Sequence, residues 1–178
     1  MKIGFCGTMS VGKTTLVNEL KKLPEFKDYT FRTERSKYLK EMGIPLNTDS
    51  TIKGQTVFLA ERASELIQEN IITDRTVIDV MAFTKCSKSI PYWIKLDFCK
   101  LAQWLLDEYD YIFYVSPKGV EIEDNGVRET DLDYRNLIDE TILDLINKYD
   151  NSLNLHTIEG TMEERITSIK ETLFPQYV

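Results

Sequence analysis

Gly7-Thr8-Met9-Ser10-Val11-Gly12-Lys13-Thr14 has the spacing G-x-x-x-x-G-K-[ST] of a phosphate-binding P-loop. The chemistry that this spacing permits is specific. Gly7 and Gly12 admit backbone angles that a side chain would forbid. Successive amide N–H groups then point into one concavity and hold phosphate oxygens, and the positive end of the following helix adds to them. Lys13 brings a point charge to the β- and γ-phosphates, and the Thr14 hydroxyl is an oxygen ligand for Mg²⁺. The nucleotide-binding set is therefore Gly7, Thr8, Met9, Ser10, Val11, Gly12, Lys13, Thr14 and Thr15, with Lys13 catalytic as well.

Four further groups have side chains suited to the same chemistry. Asp74, beside the loop at a strand end, is placed to hold Mg²⁺ directly or through water, as a Walker B aspartate does. Arg75 can reach a transferring or an acceptor phosphate with its rigid fork. The plainer alternative is a capping Asp followed by a surface Arg, and Asp79 either assists or is an exposed helix residue. Glu34 can take the proton of an acceptor hydroxyl and Arg35 can clamp the acceptor, unless the pair merely starts a helix. Arg128 can close over the nucleotide as a charge-compensating finger, with Arg135 a second candidate; the alternative is solvated charge on an acidic loop. Gln55 can hydrogen-bond a base edge in an acceptor pocket that Phe58 and Arg62 also line; the alternative is helix surface for Gln55 and core for Phe58. His156 reads as structural, and Trp93 and Trp104 as core or pocket wall.

These residues need elements that bring them together. Lys2–Cys6 is a short apolar strand, followed after the loop by a helix to about Leu23. Tyr29–Thr33 alternates as a second strand, and Glu34–Lys40 is a short helix. Thr51–Asn70 predicts a long helix with Val57, Leu59, Ala60, Ala63, Leu66 and Ile67 on one apolar face and Gly54 weakening its first turn. Ile71–Asp74 is a third strand, and helices follow over Val77 to about Lys88 and about Pro91 to Glu108. Tyr111–Val115 is the clearest strand. Lys118–Thr130 reads as a mobile loop, within a lid over about residues 117–131. Asp131–Tyr149 is a helix, Asn154–Ile158 a strand, and Met162 to about Leu173 a helix opened by a Thr161–Glu164 capping box. The alternation predicts an α/β fold, a parallel sheet with helices on both faces, in one domain over residues 1–178. Ligands of such sheets lie beyond the carboxyl ends of the strands, where the candidates above fall.

Composition narrows the class. The 178 residues are 42% hydrophobic and 29% charged, with a formal net charge of −7, which disfavours non-specific wrapping of DNA. Cys6, Cys86 and Cys99 are scattered, without Cys-x-x-Cys, so neither a disulfide frame nor a zinc site is expected. No apolar run approaches membrane-spanning length, and a cytoplasmic protein with no membrane partner is expected.

With these motifs in place the chain resembles the nucleoside and nucleotide kinases of the P-loop fold. It is particularly similar to small ATPase/kinase domains related to ribosylnicotinamide kinase and to phage-type nucleotide kinases. Ile72-Thr73-Asp74-Arg75-Thr76-Val77-Ile78-Asp79-Val80 resembles their third strand and its exit. Asp124-Asn125-Gly126-Val127-Arg128, Asp131 and Tyr134-Arg135 resemble their lid and next helix. Deoxynucleoside kinases have Glu-Arg-Ser where this chain has Asp74-Arg75-Thr76. The resemblance implies a sheet order of 2-3-1-4-5, a three-layer P-loop fold, ATP–Mg²⁺ as donor and Glu34 as acceptor base. The expected activity is γ-phosphoryl transfer to a nucleoside or nucleotide. The alternatives are a polynucleotide kinase acting on a strand end or a hydroxymethylated base, and a regulatory ATPase working through a protein partner. Partners are then a small-molecule acceptor or, in the alternative, nucleic acid, and a homodimer stays open.

Overall fold

β-Branched and aromatic residues crowd into five short runs, and these runs form the sheet. The computed structural model describes residues 1–33, 36–119, 131–149 and 153–175. The strands are β1 (Lys2–Cys6), β2 (Thr30–Arg32), β3 (Ile71–Thr73), β4 (Tyr111–Val115) and β5 (Leu155–Ile158). All pair in parallel, in the order β2-β3-β1-β4-β5, as expected. The register sets Lys2 beside Ile71 and Ile3 beside Tyr111, which makes β1 the central strand.

Side-chain alternation along the strands builds two cores. Ile3, Phe5, Ile72, Phe113 and Val115 point to one face, where Leu16, Val17 and Leu20 of α1 (Lys13–Leu20) meet Ile169 and Leu173 of α7 (Met162–Leu173). The Phe5 and Phe113 rings stack there with centroids 5.4 Å apart. Cys6, Ile112 and Tyr114 point to the other face. They are covered by α3 (Ile52–Leu66), α4 (Val77–Cys86), α5 (Tyr92–Gln103) and α6 (Leu132–Tyr149). The short helix α2 (Ser36–Glu41) follows β2.

Gly4 is where a helix start comes down on the sheet. A Cβ there would lie 2.5 Å from Thr76 Cγ2 and 2.8 Å from Tyr109 Cε1. That contact seats the N-cap of α4, and the Val77 N–H donates to Tyr109 Oη at 3.3 Å. The Thr161–Glu164 capping box opens α7 as the sequence predicts.

Four expectations need correction. The long helix is shorter than Thr51–Asn70, and its apolar face is mixed: Val57, Ala60 and Ile67 are exposed, while Gln55, Arg62 and Glu65 are buried with Leu59 and Leu66. The helix turns that inner face to a cleft as well as to the core, so polar side chains are buried on it. Gly54 does not simply weaken the first turn. Its N–H donates to the Thr51 cap at 3.2 Å, and Ile44 Cγ2 lies 3.1 Å from where its Cβ would be. The Pro91–Glu108 helix divides into α5 and a 3₁₀ turn at Leu106–Glu108. Trp93 and Trp104 are neither core nor pocket wall: they are 67% and 74% exposed.

All three cysteines are free, and burial pushes each thiol up from its ordinary value. The His156 ring hydrogen-bonds Asn154 Oδ1 at 2.9 Å and lies against Tyr111 and Phe113, a packing role. Among the described residues no helix is long and apolar enough to cross a membrane.

Candidate active site

The loop between β1 and α1 takes its shape from three residues at positive φ: Gly7 (145°), Ser10 (59°) and Gly12 (86°). Gly7 is also fixed by space, since a Cβ would meet the Val115 carbonyl oxygen at 2.7 Å. Inside α1 the first bond back runs from Leu16 N–H to Gly12 O at 2.9 Å. The amides ahead of it front the loop, the arrangement that binds anions. Ser10, Val11, Gly12, Lys13 and Thr14 line one small pocket together with Asp74 and Arg75.

Several residues outside the motif hold this loop. Lys13 Nζ is buried and donates to the carbonyls of Gly7 and Thr8, the latter at 2.7 Å. Thr8 Oγ1 donates to the Arg135 carbonyl at 2.9 Å, so the expected second finger contributes its backbone, and its side chain is buried. From α7, Arg165 Nη1 donates to Val11 O at 2.7 Å and its Nε to Gly160 O at 2.9 Å. Nothing in the sequence pattern marks Arg165 apart from its place after the capping box.

Asp74 directly follows β3 beside the loop, where the Thr14 hydroxyl donates to its Oδ2 at 2.6 Å. A hydroxyl and a buried carboxylate converging next to a phosphate cradle fit Mg²⁺, which binds through one or two carboxylates plus phosphate and water oxygens. Among the described residues no group of three or more His, Cys, Asp and Glu could make a closed metal cage. Donor set and setting therefore match a nucleotide-bound cation.

Asp79 is the residue that sequence reasoning places worst. It is 1% exposed, not a surface residue. Its Oδ1 accepts from Gly7 N–H at 3.3 Å and from Arg75 Nη1 at 3.3 Å. Its Oδ2 accepts from Thr76 N–H at 2.8 Å and Thr76 Oγ1 at 2.9 Å, closing a capping box on α4. One carboxylate thus ties the start of the loop, the start of a helix and an arginine. The Thr76-x-x-Asp79 spacing was the available signal.

Arg75 is not a loose surface cation. Its guanidinium lies over the Phe83 ring, 5.2 Å from the centroid, and it lines both the loop pocket and an adjoining cleft. That cleft is lined by Met9, Gln55, Phe58, Arg62, Asp79 and Phe83 among others. Gln55, 2% exposed, faces it rather than open helix surface, and Phe58 forms wall. Arg62 Nη2 donates to Glu65 Oε1 at 2.7 Å. Burial works against the Arg62 charge, but Glu65 and neighbouring groups outweigh it, and burial raises the Glu65 carboxyl.

The structure therefore brings Gly7 through Thr15, Asp74 and Arg75 together, with Gln55 in the adjoining cleft. Glu34, Arg35, Arg128 and most of the 117–131 lid lie outside the described residues.

A family model described as an AAA domain matches residues 2–165. No curated protein matches the chain. Among solved structures, deoxyadenosine kinase from M. mycoides, with products dCMP and a flexible dCDP bound, superposes with a TM-score of 0.70 at 20% identity. That match covers 97% of this chain and 98% of the other. The NadR protein in complex with NAD and AMP-PNP gives 0.73 at 13% identity, over 99% of this chain and 50% of that one. Thymidylate kinase from Ehrlichia chaffeensis gives 0.65 at 16%, over 97% of each chain. The fold is the one these three structures share.

Proposed function

The chain belongs to the AAA domain family, and from that premise we propose that it is an ATP- and Mg²⁺-dependent kinase that phosphorylates a nucleoside or nucleotide. The observation that carries this reading is Arg75, which lines the phosphate-loop pocket and the adjoining cleft at once. A phosphoryl donor on the loop and an acceptor in the cleft would meet at that guanidinium.

Bound ATP–Mg²⁺ would supply the γ-phosphoryl group and a cation that offsets its negative charge. The chain's part is positioning and charge compensation. Lys13 and the loop amides hold phosphate oxygens, and Thr14 and Asp74 hold the cation. Arg75 compensates charge between the two sites, kept in place by Asp79 and Phe83. Gln55 offers its amide to a base edge. Glu34 as acceptor base, Arg35 as acceptor clamp and Arg128 as finger complete the proposal on sequence grounds.

The described charges of the cleft come as opposite pairs, Arg75 with Asp79 and Arg62 with Glu65. That balance favours an uncharged nucleoside over a nucleotide as acceptor. The test is transfer from γ-labelled ATP with Mg²⁺ to a panel of nucleosides, nucleoside monophosphates, ribosylnicotinamide and oligonucleotides. A labelled nucleoside monophosphate is the expected product. Label only on oligonucleotides, or free phosphate alone, overturns the proposal. Lys13→Ala should lower turnover by about a hundredfold to a thousandfold, and turnover left intact would sink the assignment of the loop.

A further inference from the structure

Two described residues other than glycine take positive φ: Ser10 (59°) and Asn47 (56°). Left-handed backbone is uncommon without glycine and gathers at ligand sites, where the surroundings hold it in place. Ser10 lines the phosphate-loop pocket, and Asn47, half-buried, lines the adjoining cleft. Asn47 opens a 3₁₀ turn, Asn47–Asp49, that leads into the Thr51 cap of α3. The turn is clamped from the end of α4. Lys88 N–H donates to Thr48 O at 3.0 Å, and the hydroxyls of Ser87 and Ser89 both donate to Ser50 O at 2.6 Å. An asparagine in a plain connecting turn needs no such hold, because its short amide tolerates left-handed backbone by itself.

We propose that Asn47 is a specificity-determining residue that reads the base of the acceptor together with Gln55, an assignment that rests on the kinase reading above. Position carries it. α4 begins just past Arg75 and runs ten residues, so its far end lies about 15 Å along the helix from the phosphate end of the cleft. The Asn47 turn is bonded beyond that far end, through Thr48 and Ser50. Gln55 stands one turn into α3 from the same junction, with its N–H on Thr51 O at 2.9 Å. An acceptor whose reacting hydroxyl meets Arg75 therefore extends its other end, the base, toward the two amides.

The chemistry fits a base edge. Each amide has a carbonyl acceptor and an NH₂ donor, so the pair offers both kinds of group to the polar rim of a heterocycle. Phe58 and Phe83 supply apolar wall for a flat ring. Neither amide carries charge, as suits an uncharged heterocycle beside the internally neutral Arg62–Glu65 pair. The clamp fixes the backbone of Asn47 before anything binds, so little freedom is lost when its amide engages a ligand.

The test measures kcat/KM of the full chain, at saturating ATP–Mg²⁺, for nucleosides and nucleoside monophosphates of adenine, guanine, cytosine, uracil and thymine, in ribose and 2′-deoxyribose forms. Asn47→Gly removes the amide and keeps the left-handed backbone, since glycine takes a φ of 56° without strain. It should lower kcat/KM for the preferred base about tenfold or more and narrow the ratio between bases, alike for both sugars, with the KM for ATP unchanged. Should Asn47→Gly lose its fold by circular dichroism, Asn47→Asp still decides: it keeps the shape, gives up the donor, and should shift the ratio between bases about tenfold. An asparagine that only shapes the turn would leave every ratio at its wild-type value in Asn47→Gly. That result, an equal loss on all bases, or a loss that follows the sugar overturns this inference while the kinase reading stands. A wild type that labels no nucleoside or nucleotide overturns both.

Discussion

Removing the Asp79 carboxylate should unfold the chain's hold on its own phosphate loop. In Asp79→Ala the α4 capping box opens, which costs about 1 kcal/mol. The Gly7 N–H also loses a buried acceptor, at about 1–3 kcal/mol. The sum, about 2–4 kcal/mol, is a large part of the 5–15 kcal/mol typical of a domain. At about 2–4 °C per kcal/mol for a chain of this length, the melting point should fall by roughly 10 °C. Asp79→Asn keeps an oxygen acceptor and should cost about 1–2 kcal/mol through loss of the charge. Urea unfolding followed by far-ultraviolet circular dichroism measures both. Tryptophan emission is a poor reporter here, because Trp93 and Trp104 already face solvent in the folded chain. An Asp79→Ala variant within about 1 kcal/mol of wild type, at an unchanged m-value, would refute the reasoning.

Gly4→Ala should destabilise by about 1–3 kcal/mol, read as a lower urea midpoint, because its Cβ would sit inside contact distance of Thr76 and Tyr109. Arg165→Lys gives up the two-pronged hold on Val11 and Gly160, so initial rates should show a nucleotide KM up roughly tenfold with the acceptor KM little changed. Burial raises the Asp139 carboxyl, against the opposing pull of Tyr114 and Arg135. The folded chain thus keeps that proton to higher pH than the unfolded chain, so stability falls as pH rises from about 4 through the raised value. Asp139→Asn retains an acceptor for the Tyr114 hydroxyl and should flatten that slope in urea midpoints taken between about pH 4 and 7.

The strands and the loop were legible because each rests on local sequence. Tyr111–Val115 is apolar enough to be a strand anywhere, and the Gly-Lys-Thr spacing carries its own geometry. What escaped depends on contacts far apart in the chain. Asp79 is 72 residues from Gly7, and only the sheet order brings them together. Arg165 is 154 residues from Val11. On α3, periodicity predicts an apolar face, but Gln55, Arg62 and Glu65 occupy buried positions because a cleft adjoins them. Hydropathy sends Trp93 and Trp104 inward, whereas Phe98 and Ala102 hold the inner face of α5 and leave the tryptophans outside. Thr76-x-x-Asp79 was a readable cap whose spacing matches the one recognised at Thr161.

The central position of β1 has a consequence for how the chain is made. Its neighbours arrive late: Ile71 pairs with Lys2, and Tyr111 pairs with Ile3. At a ribosomal rate of about 5–20 residues per second, Ile3 waits about 5–20 s for Tyr111 to be synthesised. During that interval Ile3, Phe5 and Cys6 form an apolar strand with an open edge, the kind of segment on which nascent chains aggregate and chaperones act. Parallel pairing across so many residues is also slow to close. Translation speed between β3 and β4 thus becomes a variable that sets the yield of folded protein without touching its stability.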